Sequence, residues 1–168
     1  MNIHPLIVHF PIALLTAYVF LELIRRFTKQ PYWFHVRAFL VIAGSIGAFL
    51  SLQTGELAKE AFGNGMHNVL QMHEQVARIC TFLFAILSVA YGYRWLKETA
   101  FFGRVTATSR VVFSKIDTIE RFLLDSFVTY ILAVVGFSLL GLVGALGGIL
   151  VYGPNMDPVT QIVYKMFF

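Results

Sequence analysis

The five histidines are the residues of this chain best suited to chemistry: His4, His9, His35, His67 and His73. Neutral imidazole is the commonest side-chain metal ligand, and two opposed imidazoles can hold a haem iron from both sides. His9 lies about one turn inside an apolar stretch, and His73 opens another. Ionisable residues at such positions are costly in a membrane and mark functional sites. We therefore predict that His9 and His73 are the axial ligands of a b-type haem.

The same residues leave a metal site and a structural role open. Four histidines form a donor set suited to copper or zinc, with Glu56 or Glu74 nearby: His4, His9, His67 and His73. If the cofactor is haem instead, His4 and His67 form part of the surroundings of the haem. Glu56 and Glu74 then support the ligands by hydrogen bonds. Histidines near a membrane interface also cap helices, which keeps a structural role open. His35 stands apart among aromatic residues, as in an interfacial belt.

Other chemistries find no support in the sequence. Cys80 is the single cysteine, which excludes an intramolecular disulfide and a multi-cysteine cluster. The spacing H-E-x-x-H of zinc hydrolases is absent, as are a Ser/His/Asp arrangement and a phosphate-binding glycine loop. Glu22 lies close enough to Arg25 and Arg26 to pair with them. We expect no hydrolytic activity and no nucleic-acid partner.

Four apolar stretches must position the histidines. The composition is 58% hydrophobic and 13% charged, whereas soluble domains carry about 25% charged residues. A helix needs about 20 residues to cross a bilayer. The stretches run over about 6–24, 38–58, 72–96 and 126–152. We predict an all-α fold over a single domain, 1–168: a four-helix transmembrane bundle in which spans one and three are diagonal.

The basic residues predict how the bundle is oriented. Of the 13 lysines and arginines, ten lie either between spans one and two or from the last residues of span three to the start of span four. Cytoplasmic loops are enriched in these residues. Both termini are therefore expected outside, with the first span a retained helix. Four of the five histidines then lie near the outer face.

Two further patterns concern packing. Between spans three and four, apolar residues recur at helical spacing among charged ones, which predicts an amphipathic helix on the cytoplasmic membrane surface: Val112, Phe113, Ile116, Ile119 and Leu123. Each of two spans carries small residues along one face: Gly44, Gly47, Ser51, Gly55 and Ala58 in span two, and Ala133, Gly136, Gly141, Gly144 and Gly148 in span four, where Gly144 and Gly148 form a small-xxx-small pair. Helix faces lined by small residues let two helices approach closely. They also leave room for a flat cofactor.

The opening segment resembles the start of a known family. Ile3-His4-Pro5-Leu6-Ile7-Val8-His9-Phe10-Pro11-Ile12-Ala13-Leu14 is similar to the HPLxVHFPIAL-like motif of a bacterial four-helix membrane family of unknown function. Thr54-Gly55, His73-Glu74 and Gly147-Gly148 fit the same family, so the resemblance covers essentially the whole chain. Some members are joined to Rieske-type iron–sulfur domains, which implies electron transfer. This chain carries no such domain.

The residues and the resemblance together predict an extracytoplasmic histidine site in the bacterial cytoplasmic (inner) membrane. The first hypothesis is haem b binding for electron transfer, with a redox partner protein or a second copy of the chain as partner in the lipid bilayer. The alternatives are copper or zinc binding for metal trafficking or cofactor insertion, and a structural accessory subunit of a larger membrane complex.

Overall fold

The computed structural model describes residues 4–27, 30–58, 66–99 and 110–168, and these residues form helices and no strands. The six helices follow in chain order: α1 (His4–Leu23), α2 (Tyr32–Ala58), α3 (His67–Lys97), α4 (Arg110–Asp125), α5 (Val128–Tyr152) and α6 (Pro158–Phe167). Four of them, α1, α2, α3 and α5, are long and apolar enough to cross a membrane. The predicted four-helix architecture is confirmed.

The four spans form a closed ring around one core. α1 packs against α2 and α5, and α3 packs against the same two helices, so α1 and α3 are diagonal as predicted. Tyr18 on α1 makes edge-to-face contacts with Phe84 and Tyr91 on α3, with ring centroids 6.2 and 5.8 Å apart. All three side chains are buried. Aromatic contacts through the bundle axis therefore hold the diagonal helices together.

The small residues of α2 face α1. A Cβ atom built on Gly44 would lie 2.6 Å from Cδ2 of Leu15, and one on Gly47 would lie 3.3 Å from Cβ of Pro11. Such close approach of two backbones is the usual role of small residues in membrane helices. Pro11 itself removes a backbone donor from the α1 ladder. The contact with α2 lies where α1 lacks this hydrogen bond.

On α5 the close contact is made by Gly136, a member of the predicted small face, and not by the pair Gly144 and Gly148. A Cβ atom on Gly136 would lie 2.6 Å from Cζ of Phe84, whereas nothing lies within 4 Å of one on Gly144. Gly148 contacts only Thr160 of α6, at 3.5 Å. In the described part of the chain, the pair Gly144 and Gly148 therefore does not join two spans.

The amphipathic helix between the third and fourth spans is present as α4, with an orientation that the sequence did not predict. Lys97 at the end of α3 donates to Asp117 and Glu120, with Nζ 2.8 Å from Oδ1 and 3.0 Å from Oε2. Ile119 and Phe122 are exposed. The acidic face of α4 turns toward the cations in the last turn of α3, where basic residues are also favoured by the helix dipole. Ile119 and Phe122 therefore face outward, whereas Leu124 is buried in the core of the bundle.

A short helix that the sequence analysis did not predict follows the last span. Gly153 ends α5 with a φ of 85°, a conformation that favours glycine. Asp157 caps α6, with Oδ1 accepting from the backbone nitrogens of Val159 and Thr160 at 2.7 and 3.0 Å. Pro158 occupies the first helical position, where its fixed φ is favourable. The sequence therefore contained a helix-start signal, with Asp157 as the N-cap followed by Pro158.

Candidate functional site

His4 is the first residue of α1 and its ring lies on α2. Its Nδ1 is 2.9 Å from Oγ1 of Thr54. Gly55 lets the ring approach the backbone, since a Cβ atom there would be 3.1 Å from Cε1 of His4. Oγ1 of Thr54 donates its own proton to the carbonyl oxygen of Ser51 at 3.1 Å. Nδ1 of His4 is therefore the donor in the first contact, and Nε2 carries the lone pair of the neutral ring.

Partial burial favours the neutral form of this imidazole. His4 lies outside the apolar window of α1, which begins at Leu6. Desolvation lowers the pKa of His4 below its ordinary value. A neutral imidazole is the form that binds metals. His4 is thus held in one tautomer, in the charge state of a ligand.

His73 lies on the diagonal helix α3, and its ring faces α5. Its Cε1 would be 3.4 Å from a Cβ atom on Gly147, so the ring packs on the backbone of α5. The Nδ1 atom is buried and makes no hydrogen bond of ordinary geometry, although His73 has a backbone hydrogen-bond interaction with Val143 outside that geometry and the ring of His4 interacts with it electrostatically. Buried polar atoms without a partner are rare and call for an explanation. His4 and His73 therefore lie at the same end of the bundle, here called the histidine end, where the two rings interact electrostatically.

His9, the predicted partner of His73, lies on the surface of α1. Its side chain is exposed, while that of His4 is partly buried against α2. Five residues along an α-helix turn a side chain by about 140°. Because His4 faces α2, His9 cannot share that direction. His4 is the histidine of α1 that the structure brings near His73.

The other predicted site residues lie at the periphery of the histidine end. His67 is exposed at the first position of α3, and its Nε2 is 3.0 Å from Nε2 of Gln71 on the same helix. Glu56 is exposed near the end of α2. Glu74 is half-buried and pairs with Arg78 one turn later, at 3.7 Å. Among the described residues, no group of three or more His, Cys, Asp and Glu side chains is placed to hold a metal ion.

The opposite end of the spans holds a second polar cluster, here called the arginine end. Glu22 is completely buried there, with Oε1 2.8 Å from Nη1 of Arg25. Its other oxygen accepts from the hydroxyl of Tyr91 at 2.5 Å and lies 3.5 Å from Nε of Arg37. One carboxylate thus connects α1, α2 and α3. The sequence indicated pairing with Arg25 and Arg26, of which the structure shows Arg25; the partners on the other helices depend on how those helices are rotated.

α5 also belongs to the arginine end. Arg25 donates from Nε to the hydroxyl of Tyr130 at 3.2 Å and from Nη1 to the carbonyl of Leu124. Its guanidinium also lies over the Tyr130 ring, 4.8 Å from the centroid. A cation over an aromatic face adds electrostatic attraction. Arg25 therefore ties the end of α1 to α4 and α5.

The comparisons with known proteins bear on the class of the protein. A family model described as "Predicted membrane protein (DUF2231)" matches residues 1–157. No curated protein and no solved structure matches the chain. The match and the four apolar helices agree on an integral membrane protein whose spans contact the lipid bilayer.

Proposed function

This chain belongs to the DUF2231 family of predicted membrane proteins, and from that premise we propose that it binds a b-type haem at the histidine end and passes electrons there. His4 and His73 are the two ligands in this proposal. The observation that carries it is the buried Nδ1 of His73, which makes no hydrogen bond of ordinary geometry at the end of the bundle that also holds His4. A bound haem would supply one-electron chemistry.

The donor set favours haem over copper or zinc. Haem iron takes two axial ligands from the protein, whereas zinc and copper sites use three or four. Within the described ranges, histidines and carboxylates do not form a group of three. Gly55 and Gly147 let the rings of His4 and His73 pack directly on the backbones of α2 and α5, which holds both imidazoles in place.

The location of the site follows from the positive-inside rule. The arginine end carries Arg25, Arg37 and Arg94, and basic residues mark the cytoplasmic side. The histidine end is then extracytoplasmic in the bacterial inner membrane. A redox partner outside the cytoplasm, or a second copy of the chain, would exchange electrons at this face.

The test is an absorption spectrum of the purified full chain, oxidised and then reduced with dithionite, together with elemental analysis. We expect sharp reduced bands and near-stoichiometric iron. His4→Ala and His73→Ala should each abolish the bands, whereas the control His67→Ala should keep them. If His9→Ala removes the bands and His4→Ala does not, the ligand pair is His9 and His73 instead.

Other outcomes would replace the proposal. Bound copper or zinc without haem bands would support the metal-trafficking alternative. A protein with neither metal, and with no haem after reconstitution, would contradict both cofactor hypotheses. Co-purification of a larger complex that tolerates all four histidine variants would then favour a structural accessory subunit. Circular dichroism on each variant separates loss of a ligand from loss of fold.

A further inference from the structure

The arginine end contains an open cavity with an excess of positive charge. Its volume is about 510 Å³, and its lining includes four arginines: Arg25, Arg26, Arg37 and Arg94. Asp125 is the one acidic residue of this lining. Glu22, buried among the lining residues, offsets one further charge. We propose that this cavity binds the phosphate group of an organic phosphate, carried either by an anionic phospholipid or by a water-soluble ester.

Several of the arginines are held in place by the fold. Arg94 makes two parallel hydrogen bonds to Asp125, each 2.7 Å long, and also pairs with Glu120. Glu120 is shared with Lys97, which brings its own positive charge. Guanidinium groups fixed in this way lose little freedom when an anion binds.

The residues between α4 and α5 add to the attraction for an anion. Ser126 and Phe127 line the cavity, and α5 begins at Val128. The positive end of the dipole of this long helix therefore lies beside the cavity, while the N–H of Val128 itself donates to Oγ of Ser126. In the described chain, Arg26 is exposed and takes part in no ion pair. These features favour a ligand that accepts several hydrogen bonds on a compact negative charge, which describes a phosphate.

The size of the cavity indicates that the phosphate carries an organic body. Small-molecule sites measure about 300–1,000 Å³, and the cavity falls within this range. Exposed Phe127 lies on its lining at the end of a membrane span. Aromatic residues at this depth are typical of the headgroup region. A phospholipid headgroup therefore reaches the cavity from the bilayer, and a soluble ester reaches it from the aqueous side.

The experiment uses the full chain in uncharged detergent and a fluorescent phosphatidic acid as the probe, with fluorescent phosphatidylcholine as the reference lipid. We expect phosphatidic acid to bind the wild type more tightly. Arg26→Gln should raise its dissociation constant by about tenfold, the range expected for a charge-assisted hydrogen bond. The control is Arg121→Gln on α4, because Arg121 is exposed, does not line the cavity and donates to the backbone carbonyl of Asp117. This control should change the constant less than twofold.

Glycerol 3-phosphate as a competitor distinguishes the two sources. Displacement of the probe at stoichiometric occupancy supports a soluble ester as ligand, and failure to displace it supports a lipid. Equal weakening by Arg26→Gln and Arg121→Gln would overturn the proposal, since a general surface charge would then explain binding. Equal affinity for the two lipids would overturn it as well.

Discussion

Replacement of Gly136 by alanine tests how tightly α3 and α5 are packed. The new Cβ would lie 2.6 Å from Cζ of Phe84, a distance at which one of the two must shift. The Phe84 ring is completely buried and makes an edge-to-face contact with Tyr18. It therefore cannot move aside without disturbing the core.

The magnitude follows from two opposing effects. Overpacking a filled core costs about 1–3 kcal/mol, and replacing a helical glycine by alanine returns about 0.5–1 kcal/mol. We expect Gly136→Ala to lower the free energy of unfolding by about 1–2 kcal/mol. Gly144→Ala is the matched control on the same helix, because nothing lies within 4 Å of its new Cβ. The control should be neutral or slightly stabilising.

The assay is unfolding of the purified chain in mixed micelles by increasing sodium dodecyl sulfate, followed by far-UV circular dichroism. Phe84→Leu removes the ring atom that the new Cβ would meet. The double variant should therefore recover part of the loss, with a coupling energy of about 1 kcal/mol. If Gly136→Ala and Gly144→Ala unfold at the same detergent fraction, the close contact between α3 and α5 is wrong.

Three further predictions concern the polar ends of the bundle. Tyr91→Phe removes the hydroxyl that donates to the buried carboxylate of Glu22. This change should lower the free energy of unfolding by about 1.5–3 kcal/mol in the same assay. An unchanged unfolding midpoint would contradict the hydrogen bond between Tyr91 and Glu22. The hydrogen bond from Lys97 lowers the pKa of Asp117. This pair should therefore stabilise the docking of α4 at a pH above the ordinary pKa of a carboxyl group. The stabilisation should be lost as the pH falls through the lowered pKa of Asp117. Hydrogen exchange of α4 measures this, and Asp117→Asn should remove the pH dependence. Desolvation lowers the pKa of His4 in the folded chain. The chain should therefore lose stability as the pH falls below about 6.5, because the unfolded state then binds more protons than the folded state. His4→Gln should flatten the dependence of stability on pH in this range.

The helices could be predicted from the sequence because each span is a long apolar segment between charged connections. The adjacency of α1 with α2 and of α2 with α3 also follows from the short connections between these spans. The rotation of each helix could not be predicted, because a span that is apolar on all sides carries no sign of its inner face. Gly136 and Gly144 illustrate this, since both are glycines of α5 and only Gly136 meets a neighbouring span.

The candidate site was predicted in part for the same reason. The depth of His4 and His73 follows from their places at the starts of two spans, and the structure brings them together. Which of His4 and His9 faces α2 depended on the rotation of α1, and the structure places His4 against Thr54 and Gly55. The role of His9 as a ligand stays a prediction. The orientation of α4 was missed because its acidic side finds cations on α3.

The burial of Glu22 has a consequence for how the protein is made in the cell. When α1 first enters the bilayer, its carboxyl group has Arg25 nearby in sequence but lacks Arg37 and Tyr91, which are synthesised later. An ionised group is costly in lipid until such partners arrive. We therefore expect the newly made first helix to remain beside the insertion machinery until the second has folded against it, so that the two leave as a hairpin. Crosslinking of stalled nascent chains of increasing length would follow this step.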